Sequence, residues 1–204
     1  MASNDNIIDG NDGPTRKAHE NGFLFGQFLV STPSIIGGPF EHSVVFVSAH
    51  DSTGALGIII NKEIKNIDSR EMLETMQIKL PKNFKGLPIF LGGPVDTGRG
   101  FVLHSNDYKL ENTIQYPSGV SVTSERKVLQ DYIDGNGPKR LVLALGYAGW
   151  AKGQLEHELL ESAWVNVPAD NELIFNPSND GKWQKAAATH GIDIGKITPV
   201  IGLA

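Results

Sequence analysis

Leu141-Val142-Leu143-Ala144-Leu145-Gly146-Tyr147-Ala148-Gly149-Trp150-Ala151-Lys152-Gly153-Gln154-Leu155-Glu156-His157-Glu158-Leu159-Leu160 is the stretch on which the fold class turns. It opens on an apolar run of strand character and crosses a glycine-rich passage. It closes on helical spacing from about Gln154, with Leu155, Leu159 and Leu160 expected to face inward. Strand, glycine-rich turn and helix are also the parts of a nucleotide-binding unit, whose free helix-start amides receive an anion. The glycine spacing here fits neither the dinucleotide fingerprint nor the phosphate-binding loop. The simpler reading is a compact turn packing Tyr147 and Trp150 against a sheet, with Gly149 letting the backbone pass close. Lys152, beside the helix start, reads as solvated.

Outward from this stretch, short apolar runs bounded by turn formers predict strands at Gln27–Ser31, Val44–Ala49, Leu56–Asn61, Leu87–Leu91, Gly100–His104, Thr113–Tyr116, Val120–Thr123, Leu141–Leu145, Trp164–Val167 and Leu173–Phe175. Helical spacing recurs elsewhere. Asp68 and Glu71 form a capping-box-like start before Met72, Leu73 and Met76. Ser124 is placed to cap a helix carrying Val128, Leu129, Tyr132 and Ile133, which Gly135 stops. A last helix spans about Gly181–Thr189. Strands outnumber helices and come in runs, so the class is α+β rather than a doubly wound sheet.

The chain has 204 residues, 40% of them apolar and 20% charged, which suits one globular domain. Residues 1–21 lack periodicity and are rich in Asn, Asp and Gly, so they read as a disordered tail before a domain at 22–204. The tail holds no apolar stretch of signal-peptide length, and no run approaches a membrane span. The cytoplasm is the expected compartment. With no cysteine, disulfides and thiolate chemistry are excluded. A formal charge of −5 without a basic stripe argues against direct nucleic-acid binding.

Gly93-Pro94-Val95-Asp96-Thr97-Gly98-Arg99-Gly100 reproduces the start of a phosphate-binding loop, but Arg99 and Gly100 stand where that loop needs Lys and Ser or Thr. FVLHS follows and reads as a strand, so this is a tight connection between strands. His157-Glu158 is followed at the zinc-ligand spacing by Glu161, not by a second histidine. His50 and His104 end predicted strands and are read as hydrogen-bonded rather than metal-bound. Glu156, Glu158 and Glu161 read as solvated positions around inward leucines. No metal, cofactor or catalytic set is called for.

Four segments together resemble the AlgH/YqgE family of bacterial proteins: GQFLVSTPSI, FEHSVVFVSAHDSTGALGIIINK, LGGPVDTGRGFVLHS, and ALGYAGWAKGQLEHELLESAW with its closing elements. The resemblance runs from about residue 22 onward. It implies a single α+β domain whose branched mixed β-sheet curls into a pseudo-barrel with flanking helices. It implies no established reaction or cofactor, although one branch carries a transcription-regulator label. Three functions stay open. The first is a non-enzymatic interaction or regulatory protein with a protein partner. The second is a small-molecule or anion binder, or an undescribed hydrolase, with a cleft lined by Asn61, Lys62, Arg99, His104, Tyr147, Trp150, Lys152 and Gln154. The third is a transcription-associated regulator.

Overall fold

The computed structural model describes residues 22–197. The expected tail at 1–21 lies outside them. Chain order runs β1 (Gln27–Ser31), β2 (Val44–Asp51), β3 (Gly54–Ile59), α1 (Ser69–Thr75), β4 (Ile89–Leu91), β5 (Val95–Ser105), β6 (Ile114–Gln115), β7 (Val120–Thr123), α2 (Lys127–Ile133), β8 (Leu141–Ala151), α3 (Gln154–Leu160), β9 (Trp164–Pro168), α4 (Asn171–Phe175) and α5 (Lys182–Ala188), then a 3₁₀ turn at Ile194–Lys196. The class is α+β, as the sequence predicts.

The strands form one sheet in the order β6-β7-β5-β8-β3-β2-β1-β9, with β4 paired to β8 off that path. The branch is at β8. Its first half, Leu143–Leu145, pairs in parallel with β4 and antiparallel with β5, while Ala148–Ala151 pair with β3. β4 and β3 therefore share one edge of the same strand. The sheet curls until its β6–β7 end meets β2: the Tyr116 hydroxyl donates to the Ser48 carbonyl at 2.8 Å, and its ring packs edge-on to Phe46.

Alternation along the strands fills both faces, which is why VVFV and GIII read as continuous apolar runs. Phe28, Val30, Val44 and Phe46 face inward with Leu173 and Ile174 of α4 and Trp183, Ala186 and Ala187 of α5. Leu29, Val45 and Val47 face outward under Leu155 of α3. A third cluster joins Val102 and Leu143 to Leu73 of α1 and to Val128 and Leu129 of α2.

Local signals held where a cap was explicit. Asp68 accepts from the Arg70 and Glu71 amides at 2.8 and 3.4 Å and starts α1. Ser124 does not cap α2: Arg126 occupies that position without a side-chain bond, and Thr123 Oγ1 takes the Glu125 amide instead. Leu173–Phe175 is not a strand. Asp170 accepts from the Glu172 amide at 2.9 Å and starts the short helix α4, since an aspartate cap outweighs three residues too short to show a period. No helix among the described residues is long and apolar enough to cross a membrane.

Candidate functional site

The two glycine motifs meet at the branch. A Cβ on Gly93 would stand 2.1 Å from the Tyr147 carbonyl carbon, and one on Gly92 would stand 2.2 Å from the Gly146 carbonyl oxygen. Gly146 itself has φ 74, a conformation that costs other L-residues, and a Cβ there would lie 2.5 Å from the Gly93 oxygen. GYAGW is therefore not a compact turn. β8 bends at Gly146 and continues as strand to Ala151, changing partner from β5 and β4 to β3. The tight connection in GGPVDTGRG is only Gly92–Pro94. β5 already begins at Val95, and residues 96–99 bulge between the pairs Val95–Tyr147 and Gly100–Leu145. Gly149 is not the close approach, because its Cβ would meet only the Tyr147 ring, at 3.4 Å. At this branch the Arg99 guanidinium lies 5.0 Å from the Phe101 ring centre, and Phe101 packs edge-on to Tyr147 at 6.0 Å.

Beyond the bend, β8 carries Trp150 to the start of α3. One carboxylate holds this corner. Glu158 Oε2 accepts the indole N–H groups of Trp150 and Trp164, each at 2.8 Å, and Oε1 accepts from Gln154 Nε2 at 2.8 Å. Gln154 Oε1 in turn takes the Ala151 amide at 3.0 Å. Glu158 is thus not a solvated position, and Gln154 is engaged as a bracket between β8 and α3. Glu156 is paired as well, at 3.2 Å from His50 Nε2, whose Nδ1 accepts the Leu24 amide at 3.0 Å. That geometry assigns the ring proton to Nε2. Lys152 is exposed, as expected. Leu160 is the opposite of the expectation, 84% exposed at the end of α3. Its counterpart is Ile36, 85% exposed in the loop after β1. Thr32 ties these segments together, its amide bonding the Ala163 carbonyl and its hydroxyl the Ser162 carbonyl. Ile35, Phe40, Leu159 and Ala163 lie half-buried beside them.

His104 is fully buried in β5, with Nδ1 2.9 Å from the Ser105 carbonyl and Nε2 without a partner. Burial holds its imidazole below the ordinary range, and the Ser105 carbonyl partly offsets this. Among the described residues no three His, Asp or Glu side chains gather into a metal site.

Asn61 and Lys62 lie elsewhere, on one wall of a polar cavity of about 540 Å³. Glu63 and Lys65 complete that wall, and Pro177–Asp180, the link from α4 to α5, form the other. Asn61 is fixed by accepting the Val44 amide and donating to the His42 carbonyl, both at 2.8 Å. Asn179 spans the walls by donating to Glu63 Oε2 at 3.2 Å, while its own Oδ1 is buried with no partner. Adjoining Asn179 in the chain is a group that sequence reasoning missed. Lys182 is 1% exposed, with Nζ 3.2 Å from the Ile174 carbonyl and 5.6 Å from the Phe90 ring centre. Burial pulls its ammonium down to about 8, partly offset by the Glu63 carboxylate. Nothing in GKWQKAAA distinguishes this lysine from a solvated one; Ile174 and Phe90 come to it only in the fold.

The eight predicted residues therefore fall into four environments: Asn61 with Lys62, Arg99 with Tyr147, His104 alone, and Trp150 with Lys152 and Gln154 at the α3 corner.

Comparison with known proteins agrees with this architecture. The chain is 43% identical over 191 residues to a UPF0301 protein of Bradyrhizobium diazoefficiens, covering 90% of this chain and 89% of that one. It is 40% identical to a UPF0301 protein of Methylocella silvestris, covering 92% and 95% respectively. The solution structure of the AlgH protein from Pseudomonas aeruginosa superposes with a TM-score of 0.73 at 31% identity, covering 95% of this chain and 99% of that one. A crystal structure from Corynebacterium diphtheriae shares the fold, with a TM-score of 0.69 at 18% identity over 84% of this chain and 90% of that one. The model of the AlgH-like family matches residues 28–195, and the chain belongs to that family.

Proposed function

We propose that this chain is a cytoplasmic, non-enzymatic regulatory protein that works by binding another protein. The observation that carries this reading is the apolar surface at Ile36 and Leu160, the two most exposed large apolar side chains described. Their chain neighbours Ile35 and Leu159 pack half-buried against one apolar cluster, and Thr32 bonds the two segments together. On and after α3 stand the exposed carboxylates Glu156 and Glu161, each 3.2 Å from a histidine, His50 and His157 respectively. A partner of matching chemistry presents apolar side chains bordered by basic ones. The net charge of −5 favours such a protein over DNA.

The test places a photo-activatable residue at Leu160 in cells, and in parallel at Lys109, an exposed loop position after β5. The expected result is a discrete crosslinked protein from position 160 alone. Ile36→Asp with Leu160→Asp should abolish capture of that protein without moving the thermal midpoint. Crosslinks formed equally from both positions, or from neither, overturn the reading.

A further inference from the structure

The polar cavity between Asn61–Lys65 and Pro177–Asp180 lies apart from the Ile36–Leu160 surface and makes a separate demand on chemistry. Its groups are left incomplete in a complementary way. Lys62 and Lys65 form no ion pair among the described residues, so two ammonium groups lack an anion. Glu63 and Asp180 likewise form no ion pair among the described residues, so two carboxylates lack a cation. The two walls are held at a fixed separation by the Asn179–Glu63 bond, and Asn61 is pinned to β2 and His42, so the cavity exists before any ligand arrives.

The charges select the ligand. Glu63 and Asp180 line the same space as Lys62 and Lys65. A simple anion would meet two carboxylates and a simple cation two ammonium groups, whereas a molecule with one charge of each sign meets a partner for both. A volume of about 540 Å³ lies in the range of small-molecule sites. We infer that this cavity binds a small zwitterion of the amino-acid or short-peptide class. Its carboxylate lies toward Lys62 and Lys65, and its ammonium toward the carboxylates of Glu63 and Asp180.

Three probes separate the possibilities: triglycine, its N-acetylated form, which is only an anion, and its C-terminal amide, which is only a cation. Amide chemical shifts of the full chain are followed during titration with each. The expected result is saturable shifts within residues 61–65 and 178–180 with triglycine, and at least about tenfold weaker binding of either capped form. Glu63→Gln with Asp180→Asn, and Lys62→Gln with Lys65→Gln, should each weaken triglycine binding about tenfold, with the remaining amide spectrum unchanged. The lysine pair keeps the test valid should the change at Glu63 disturb its bond from Asn179. Absence of saturable shifts in these segments overturns the inference. So does equal binding of a capped form, or affinity indifferent to both substitutions.

Discussion

The corner of Trp150, Glu158 and Trp164 and the cavity of Asn61, Glu63 and Asn179 are both polar, and they differ in how completely their hydrogen bonds are made. At the corner each Glu158 oxygen is engaged, and both indole N–H groups end on one of them. At the cavity an amide oxygen and two ammonium groups have no partner among the described residues. A closed network fastens elements together, and its removal is felt as stability. An open one contributes little to stability and is free to recognise something else.

The sharpest way to break the comparison is upstream of the corner, where β8 bends. Gly146→Ala must hold a left-handed φ and drive a Cβ into the backbone of Gly93, so a loss of about 3 kcal/mol or more is expected. Urea unfolding measures it, and a loss below about 1 kcal/mol would show that the bend does not need glycine.

Glu158→Ala comes next. It leaves two buried indole donors without an acceptor and should cost about 2–3 kcal/mol, with Glu158→Gln much milder because an amide oxygen remains to accept. If the two variants unfold at the same urea concentration, the corner is not held by acceptance at Glu158.

On the cavity side, Lys182 ties stability to pH. Its amine lies at about 8 in the folded chain against an ordinary 10.5, so between those values the unfolded chain holds more protons and folding strengthens as pH rises. Below about 8 both states are protonated and the burial penalty is constant. Lys182→Met lacks this dependence. The stability of the parent relative to Lys182→Met should therefore rise by roughly 2 kcal/mol between about pH 7.5 and about pH 9.5. A flat difference across that window would mean that Lys182 is solvated.

The smallest expected effects sharpen the contrast. Asn179→Ala removes an unsatisfied acceptor together with one exposed bond to Glu63 and should change stability by less than about 1 kcal/mol, well under Glu158→Ala. Gly149→Ala, three residues from the critical bend, adds a Cβ with only the Tyr147 ring near it and should stay within about 0.5 kcal/mol. A Gly149 effect as large as that of Gly146 would move the branch point in β8.

By itself the sequence determined the α+β class, the positions of most strands, the cap at Asp68, and the family through its glycine motifs. Those features are local: alternation, a capping side chain and a stop glycine all act within a few residues of chain. It misread GYAGW because Gly146 and Gly149 carry no side chains to continue the alternation, and the hydrogen bonds that make this segment a strand belong to Gly54–Gly57 of β3. Glu158 looked solvated because the two indoles that claim it come from β8 and β9. Lys182 looked ordinary because Phe90 and Ile174 enclose it from β4 and α4. Leu160 was expected inward with Leu155 and Leu159, yet it stands about 140° round the helix from Leu155 and so points away from the cluster that Leu155 and Leu159 cover. Which polar groups are closed and which are left open depends on partners brought from other strands and helices, and only the tertiary structure supplies them.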